Sequence, residues 1–217
     1  AAFVAQEYWT THFDSHKEAQ KFSARLTEFD GEKIEQFTLT NAEQSERVLS
    51  ALRAATHASV AKIEKKRKTR SAAAPFTTST LQQEAVRKLG FSTDRTMKVA
   101  QQLYEGIDTG EGAVGLITYM RTDSVTLANE ALGEIRAYIE SNFDSGYLPA
   151  KPNTYRTKSK NAQEAHEAIR PTAITRTPQS VKDSLSADQF KLYEMIWKRT
   201  LASQMSPAQF DTVSVDF

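Results

Sequence analysis

The spacing of apolar residues changes twice along the chain. Up to about residue 40 apolar and polar positions alternate, which predicts β-strands, and Asp30-Gly31 is a strong hairpin turn signal. From about residue 79 onward apolar residues recur at helical spacing. After Pro207 the chain returns to the alternation of a strand. This order predicts a helical part inserted into a β-strand part.

The predicted fold class is therefore α+β, with a mostly helical domain inserted into a discontinuous β-strand domain. Residues 1–78 and 206–217 are assigned to the β-rich domain, and residues 79–205 to the helical domain. Both ends of the chain resemble cut ends, because no Met begins it and the strand pattern is still running at Phe217. We therefore interpret the sequence as a piece of a longer protein.

Capping residues predict where several helices begin and end. Asn41 with Gln44 and Ser186 with Gln189 have capping-box spacing. Two further helices are predicted to begin at Ser79 or Thr80 and at Ser92 or Thr93. For the helix after Ser92, which Gly106 ends, the residues predicted on one face are Met97, Ala100, Leu103 and Tyr104.

The stretch from Gly115 to Ser124 combines an apolar run with polar and charged groups. If Leu116 to Arg121 is a strand, Tyr119 and Arg121 project from the same face. Asp123 or Ser124 is then placed to cap a helix that runs to about Phe143. A phosphate there would meet a guanidinium and free N–H groups. From spacing alone, a tyrosine that simply packs at a strand end remains the alternative.

A second informative stretch runs from Asn161 to Pro171. Capping-box spacing at its start and Pro171 at its end predict a helix. Gln163, His166 and Arg170 would share one polar face of that helix, which could hold a phosphate. A structural role for the histidine and arginine is the alternative when the stretch is considered alone.

Three strings occur in the order found in one enzyme family. Thr77-Thr78-Ser79-Thr80-Leu81-Gln82-Gln83 comes first, and Tyr119-Met120-Arg121-Thr122-Asp123-Ser124 follows Gly-Leu-Ile-Thr. Gln163-Glu164-Ala165-His166-Glu167-Ala168-Ile169-Arg170-Pro171 is the third string. Together they closely resemble the bacterial type IA DNA topoisomerases.

The resemblance implies a function for these residues. Tyr119 would attack a DNA phosphodiester and remain linked to the 5′ phosphate, while Arg121 would hold the scissile phosphate. By the same resemblance His166 and Arg170 would contact the DNA, and the helix start and polar face described above add Gln163, Asp123 and Ser124 as predicted DNA-binding residues. The parent would relax negatively supercoiled DNA without ATP, by single-strand cleavage, strand passage and religation, with the helical domain as a moving gate. Its partners would be single-stranded and negatively supercoiled DNA.

The resemblance also implies a magnesium ion that this chain does not hold. In that family a metal-binding domain supplies an Asp-x-Asp triplet and a glutamate, and no Asp-x-Asp occurs here. Asp108, Glu111 and Asp123 are too scattered to form a metal site. We expect Mg²⁺ in the parent, bound by an N-terminal domain outside this chain, and no cofactor in this piece. We also expect the piece alone not to cleave DNA, and self-association through uncovered surfaces is a further expectation.

Composition narrows the class of protein. The net charge is only +1, so any electrostatic footprint for nucleic acid must be local, as in the run Lys62–Arg70. The chain has no cysteine, which fits a reducing cytoplasm. No apolar run approaches the length of a membrane span, and the start lacks the features of a signal peptide. We predict a cytoplasmic protein with no membrane partner.

Three other classes compete with this interpretation. In tyrosine recombinases the tyrosine follows an Arg…His-x-x-Arg array, whereas here Tyr119 comes first and three residues separate His166 from Arg170. A non-catalytic DNA-binding module would bind DNA equally well with Tyr119→Phe. A protein-interaction domain would be excluded if the chain bound single-stranded DNA with an affinity that falls steeply as the salt concentration rises.

Overall fold

The chain forms two compact units in a computed structural model that describes residues 4–110, 112–156 and 167–217. The first unit contains Ala1–Lys65 and Val213–Phe217, and the second contains Lys66–Thr212. These limits differ from the predicted domain limits at residues 78 and 206, and our domain assignment stays a prediction.

The first unit contains two small antiparallel hairpins and one helix. The first hairpin has six residues on each strand, and the second has two; the strands are β1 (His12–Lys17), β2 (Gln20–Arg25), β3 (Glu28–Phe29) and β4 (Glu32–Lys33). Asp30 and Gly31 join β3 to β4 with φ angles of 53° and 81°. The predicted hairpin turn is confirmed, because a turn of this kind needs positive φ at both central residues.

Helix α1 (Ala42–Ala54) begins where its cap predicted. The Asn41 side chain accepts a hydrogen bond from the Gln44 N–H at 2.9 Å, which satisfies a donor left free at the helix start. The strands predicted up to about residue 40 end earlier, because Lys33 is the last residue of that stretch that pairs with another strand. Leu39 is nevertheless buried beside this helix start.

Two nine-residue strands are paired, β5 (Lys62–Arg70) and β8 (Ala208–Asp216). Arg67 Nε contacts Asp211 Oδ1 at 3.0 Å, and Thr212 donates to the carbonyl of Lys66 at 2.9 Å. The residue number on β8 falls from 212 to 211 as the number on β5 rises from 66 to 67, so the two strands are antiparallel.

The second unit is mostly helical. Its regular elements are α2 (Thr78–Leu89), α3 (Thr93–Glu105), β6 (Ile107–Asp108), β7 (Ala113–Val114), α4 (Asn129–Asn142) and α5 (Ala187–Ser203), with 3₁₀ turns at Ser145–Tyr147 and Gln179–Ser184. The caps predicted at Ser92 and Ser186 are present. Gly90, at φ 67°, ends α2 in the left-handed conformation that glycine adopts without strain.

One apolar cluster holds the second unit together. Its fully buried members come from the helices and from the segments between them, and include Phe76, Leu81, Leu103, Leu116, Ile117, Ile139, Ile169, Leu192, Tyr193 and Ile196. The combination of helices and strands confirms the predicted α+β class. Among the helices of the described residues, none has the length and apolar character needed to cross a bilayer.

Candidate functional site

The segment from Gly115 to Thr122 lies between two other parts of the second unit. It is not a strand, so the strand predicted over Leu116–Arg121 is wrong; only Ile117 forms a bridge, with Pro171. Exposure still alternates after Ile117. Tyr119 is 45% exposed and Arg121 is exposed, whereas Met120 is buried. The segment therefore anchors itself by one set of side chains and presents Tyr119 and Arg121 to solvent.

One border of the segment is fixed by the chain that follows residue 167. The Thr118 N–H donates to the Arg170 carbonyl at 2.9 Å, and the Thr118 hydroxyl donates to the Ala168 carbonyl at 2.7 Å. The Arg170 N–H donates back to the Thr118 hydroxyl at 3.0 Å. The Thr172 N–H donates to the Leu116 carbonyl at 3.0 Å. Two backbone hydrogen bonds and two bonds of the Thr118 hydroxyl thus fix this border of the segment.

The other border is fixed by the start of α2. The Thr78 hydroxyl donates to the Met120 carbonyl at 2.7 Å and accepts from the Thr122 N–H at 2.9 Å. The Thr78 N–H donates to the Thr122 carbonyl at 2.9 Å. Thr77, paired with Thr80, caps α2, although we predicted the cap at Ser79 or Thr80. The residues around Arg121 are therefore bound to a helix N-terminus.

Tyr104, on the last turn of α3, packs against the Tyr119 ring. The two ring centroids are 5.3 Å apart, with an interplanar angle of 63°, in the edge-to-face arrangement that aromatic pairs favour. Tyr104 is 40% exposed, whereas Ala100 and Leu103, which were predicted on the same face of α3, are buried. Leu103 is the last buried residue of α3, and the helix continues to Glu105.

A close backbone approach fixes Tyr104 relative to the segment. A Cβ atom on Gly115 would lie 2.7 Å from the Tyr104 carbonyl oxygen, a distance at which the two backbones would have to separate. The Leu116 N–H donates to the Leu103 carbonyl at 2.7 Å. The end of α3 and the segment carrying Tyr119 are thereby held together as one piece.

The reactive groups of the two exposed residues are free. Neither the Tyr119 hydroxyl nor the Arg121 guanidinium has a hydrogen bond or ion pair with the parts of the chain that the structure describes. Tyr155 and Tyr193, by contrast, donate their hydroxyl hydrogens to backbone carbonyls. An exposed phenol and an exposed guanidinium, two residues apart and unpaired, can both contact one phosphate.

Arg170 is placed on the border of this segment by an ion pair. Its Nε and Nη2 contact Glu167 Oε2 at 2.9 and 2.7 Å, and its side chain is only 16% exposed. Glu167 Oε1 also accepts from the Ala128 N–H at 3.1 Å. The helix predicted up to Pro171 is wrong for residues 167–171, where Ile169 instead bridges with Phe76. The predicted contacts Gln163 and His166 lie outside the described residues.

Asp123 and Ser124 do not start a helix. Helix α4 begins at Asn129, and Ala128 precedes it without a side-chain cap. Ser124 is buried, and its Oγ accepts from the Thr126 N–H at 3.1 Å in a local turn. Asp123 is exposed. The predicted helix start is wrong because the Ser124 oxygen accepts a hydrogen bond within this turn, five positions before the helix begins.

The described residues do not fit a magnesium site. Among residues 4–110, 112–156 and 167–217, no three His, Asp or Glu side chains lie close enough to hold a metal ion. Asp108, for example, accepts from the Gly110 N–H within a turn. We therefore assign no step at this site to a metal ion held by these side chains.

Comparison with known proteins gives a consistent match. A family model described as DNA topoisomerase matches residues 1–217. The chain is 53% identical to DNA topoisomerase 1 of Xylella fastidiosa over 99% of its length, and 47% identical to that of Campylobacter jejuni over the same share. The solved structure of full-length topoisomerase I from Thermotoga maritima covers 98% of this chain with a TM-score of 0.74 and 37% identity.

The relatives are much longer than this chain. It spans 27% of the Xylella protein, 30% of the Campylobacter protein and 32% of the Thermotoga chain. Within that span the match is continuous and includes the segment that presents Tyr119 and Arg121. The chain belongs to the DNA topoisomerase family.

Proposed function

We propose that this chain supplies the cleaving tyrosine of a DNA topoisomerase. Tyr119 Oη attacks the phosphorus of one DNA strand, and the bond from phosphorus to the 3′ oxygen breaks. The phenol loses its proton, and the departing 3′ oxygen gains one. The strand is then held through a 5′-phosphotyrosyl bond until the 3′ hydroxyl attacks in reverse and rejoins it. The observation that carries this proposal is the exposed, unpaired Tyr119 phenol beside the exposed Arg121.

Each nearby cation has a distinct part in the proposed reaction. Arg121 pairs with the phosphate and offsets the charge that grows on its oxygens in the transition state. Arg170, held by Glu167, contacts the DNA backbone from the border of the segment. A phenol with an ordinary pKa near 10 is a weak nucleophile at neutral pH, so stabilisation of the phenolate by cations contributes directly to rate.

The parent's wider activity follows from the same proposal. The two partners are single-stranded and negatively supercoiled DNA, and the energy kept in the phosphotyrosyl bond makes ATP unnecessary. Residues 79–205 act as the gate, Gln163, His166, Asp123 and Ser124 assist DNA binding, and the protein works in the cytoplasm. Mg²⁺, when bound by a domain outside this chain, supplies positive charge at the phosphate. Without that domain, the exposed surfaces of this chain permit self-association.

The proposal is tested by trapping the covalent intermediate. The full-length parent is incubated with a single-stranded oligonucleotide labelled at its 3′ end and is then quenched with detergent. A labelled protein band is expected for the parent and for Tyr147→Phe, a control at another exposed tyrosine, and no band for Tyr119→Phe. A band that survives Tyr119→Phe would contradict the proposal. The 217-residue chain alone is expected to bind the oligonucleotide without forming the band.

The outcome also separates the rival class. A non-catalytic DNA-binding module would give no band from the full-length parent under any condition, although it would still bind the oligonucleotide. Covalent capture of the 3′-labelled part also establishes the polarity, because only a 5′-phosphotyrosyl bond retains that part of the strand.

A further inference from the structure

Tyr104 has the properties of a binding residue that the reaction described above does not use. Its side chain is 40% exposed at the end of α3, and its hydroxyl has no partner among the residues that the structure describes. Its ring lies 5.3 Å, centroid to centroid, from the ring of Tyr119. A tyrosine kept only for packing would normally bury its ring or pair its hydroxyl.

The position of Tyr104 is fixed by backbone contacts that do not involve its side chain. Its carbonyl oxygen lies against Gly115, and Leu103 accepts a hydrogen bond from Leu116. The ring is therefore held beside Tyr119 without depending on the ring-to-ring contact itself. Such a preset aromatic surface can receive a ligand at low entropic cost.

We infer that Tyr104 is a stacking platform for a nucleobase next to the cleaved phosphodiester; this inference rests on the proposed function. A phosphate at Tyr119 Oη places the first base on either side within a few ångströms of the phenol. An exposed ring at this distance lies within reach of that base. Single-strand binding proteins commonly combine cations along the backbone with aromatic rings under the bases. Here Arg121 would contact the phosphate and Tyr104 the neighbouring base.

The test measures affinity of the 217-residue chain for two strands of equal length. One is an oligothymidylate, and the other is an abasic strand with the same phosphates and no bases. Tyr104→Leu is expected to weaken binding of oligothymidylate about 5- to 100-fold, the range for loss of one stacked base. Binding of the abasic strand is expected to be unchanged, and Tyr104→Phe is expected to bind both strands like the original chain.

The matched control is Tyr147→Leu. Tyr147 is 50% exposed and packs against the ring of Phe143 at 5.7 Å, so it reproduces the setting of Tyr104 away from Tyr119. Its substitution is expected to change neither affinity. Equal weakening of both strands by Tyr104→Leu would mean that Tyr104 only supports the local fold, and would overturn the inference. No effect on either strand would overturn it as well.

Failure of this inference can be told apart from failure of the proposed function. If the chain binds neither strand, then the proposed DNA site itself is wrong. If both strands bind, and Arg121→Gln weakens both while Tyr104→Leu weakens neither, only the stacking platform is refuted.

Crosslinking to an oligonucleotide that contains 5-iodouracil gives a second readout. The crosslink is expected on the peptide that carries Tyr104, and crosslinks confined to other peptides would overturn the inference.

Discussion

Gly115 is the residue whose smallness the candidate site most clearly requires. Because its Cα faces the Tyr104 carbonyl, Gly115→Ala would force the end of α3 away from the segment. We expect this substitution to lower the free energy of unfolding by about 1–3 kcal/mol, as overpacking does in well-packed regions. Denaturation with urea, followed by circular dichroism, measures the loss.

Gly133 provides a control at which alanine should change the free energy of unfolding in the opposite direction. It lies inside α4, and an added Cβ would meet nothing within 4 Å. Gly133→Ala is therefore expected to raise the free energy of unfolding by about 0.5–1 kcal/mol, because alanine favours a helix over glycine. If both glycine variants were equally stable, the close approach at Gly115 would not be a constraint in solution.

Arg121 is expected to act through charge. Arg121→Gln should weaken binding of single-stranded DNA and reduce by about one the slope of log affinity against log salt concentration, since one phosphate contact is lost. Fluorescence anisotropy at several salt concentrations measures that slope. Lys191→Gln, which removes an exposed cation of α5 in the same unit, is expected to leave the slope unchanged. Equal slopes for Arg121→Gln and the original chain would exclude Arg121 from the DNA interface.

Single residues also show where sequence reasoning fails. Helical spacing placed Tyr104 on one face of α3 with Leu103, yet Leu103 is buried and Tyr104 is 40% exposed, at a helix end that contacts Gly115. Ser124 had the right chemistry for a cap, but its oxygen is used by a turn with Thr126. Neither fact can be read from local pattern, because each depends on where a distant or neighbouring backbone group lies. The glycine at 115 was the available signal for a close approach.

At the scale of elements, one hydroxyl makes two of the hydrogen bonds that join α2 to the segment carrying Tyr119. Thr78→Val removes the donor to Met120 and the acceptor for the Thr122 N–H while keeping the shape of the side chain. We expect a loss of about 1–3 kcal/mol in the free energy of unfolding, the usual cost of leaving a partly buried group unpaired. Thr78→Ser keeps the hydroxyl and is expected to lose much less. Thermal or urea denaturation of both variants decides between them.

Helices α2 and α5 are joined by charges around Glu84, which makes their packing sensitive to pH. Glu84 contacts Lys88 at 2.8 Å, Arg87 at 2.6 Å and Arg199 at 3.4 Å. The hydrogen bond from Lys88, followed by the three positive charges, lowers the pKa of this carboxyl against the opposing effect of burial. A lowered pKa means that the ionised form is favoured by folding. The resulting stability is present above the ordinary pKa of glutamate and is lost as the pH falls through the lower folded value.

Glu84→Gln tests this linkage. At pH 7 we expect the variant to be less stable than the original chain by about 1 kcal/mol. The difference should shrink as the pH falls below the ordinary pKa of glutamate and through the lower pKa of the folded state, because the original carboxylate then becomes protonated as well. Glu46→Gln, whose pair with Arg53 is largely exposed, should change stability little at either pH. A gap for Glu84→Gln that stays constant down to pH 3 would contradict the ionic account.

Elements with local signals were predictable, and elements held by distant partners were not. The starts of α1, α3 and α5 follow from their caps, because a cap satisfies donors within its own turn. The segment around Tyr119 has the composition of a strand, but its hydrogen bonds come from Thr78 on one side and Arg170 on the other. The stretch up to Pro171 has helical capping signals, but residues 167–171 are not helical. Their hydrogen bonds also come from distant partners, since Ile169 pairs with Phe76 and Arg170 with Thr118.

For the whole molecule, the two units differ in the core that each contains. Among the described residues of Ala1–Lys65, the buried apolar side chains are Leu39 and Val48, whereas the second unit has a large continuous cluster. We expect α1 to exchange its amide hydrogens sooner than α3 and α5, because buried apolar area sets most of the local stability. Hydrogen exchange followed by mass spectrometry measures this order.

A pair of core substitutions sharpens that expectation. Val48→Ala should accelerate exchange in α1 and leave α3 unchanged, while Leu103→Ala should destabilise the second unit by about 2–5 kcal/mol. If Val48→Ala accelerated exchange throughout both units, they would unfold as one cooperative body.

The hydrogen bonds that border Tyr119 connect residues 42 to 57 positions apart in the sequence. On a ribosome, the chain is made from its N-terminus, so Tyr119 emerges long before Ala168, Arg170 and Thr172 can complete its second border. A half-made chain thus carries Tyr119 but not all of the hydrogen bonds that fix the segment around it. The segment around Tyr119 therefore reaches its final geometry only after synthesis has passed Thr172.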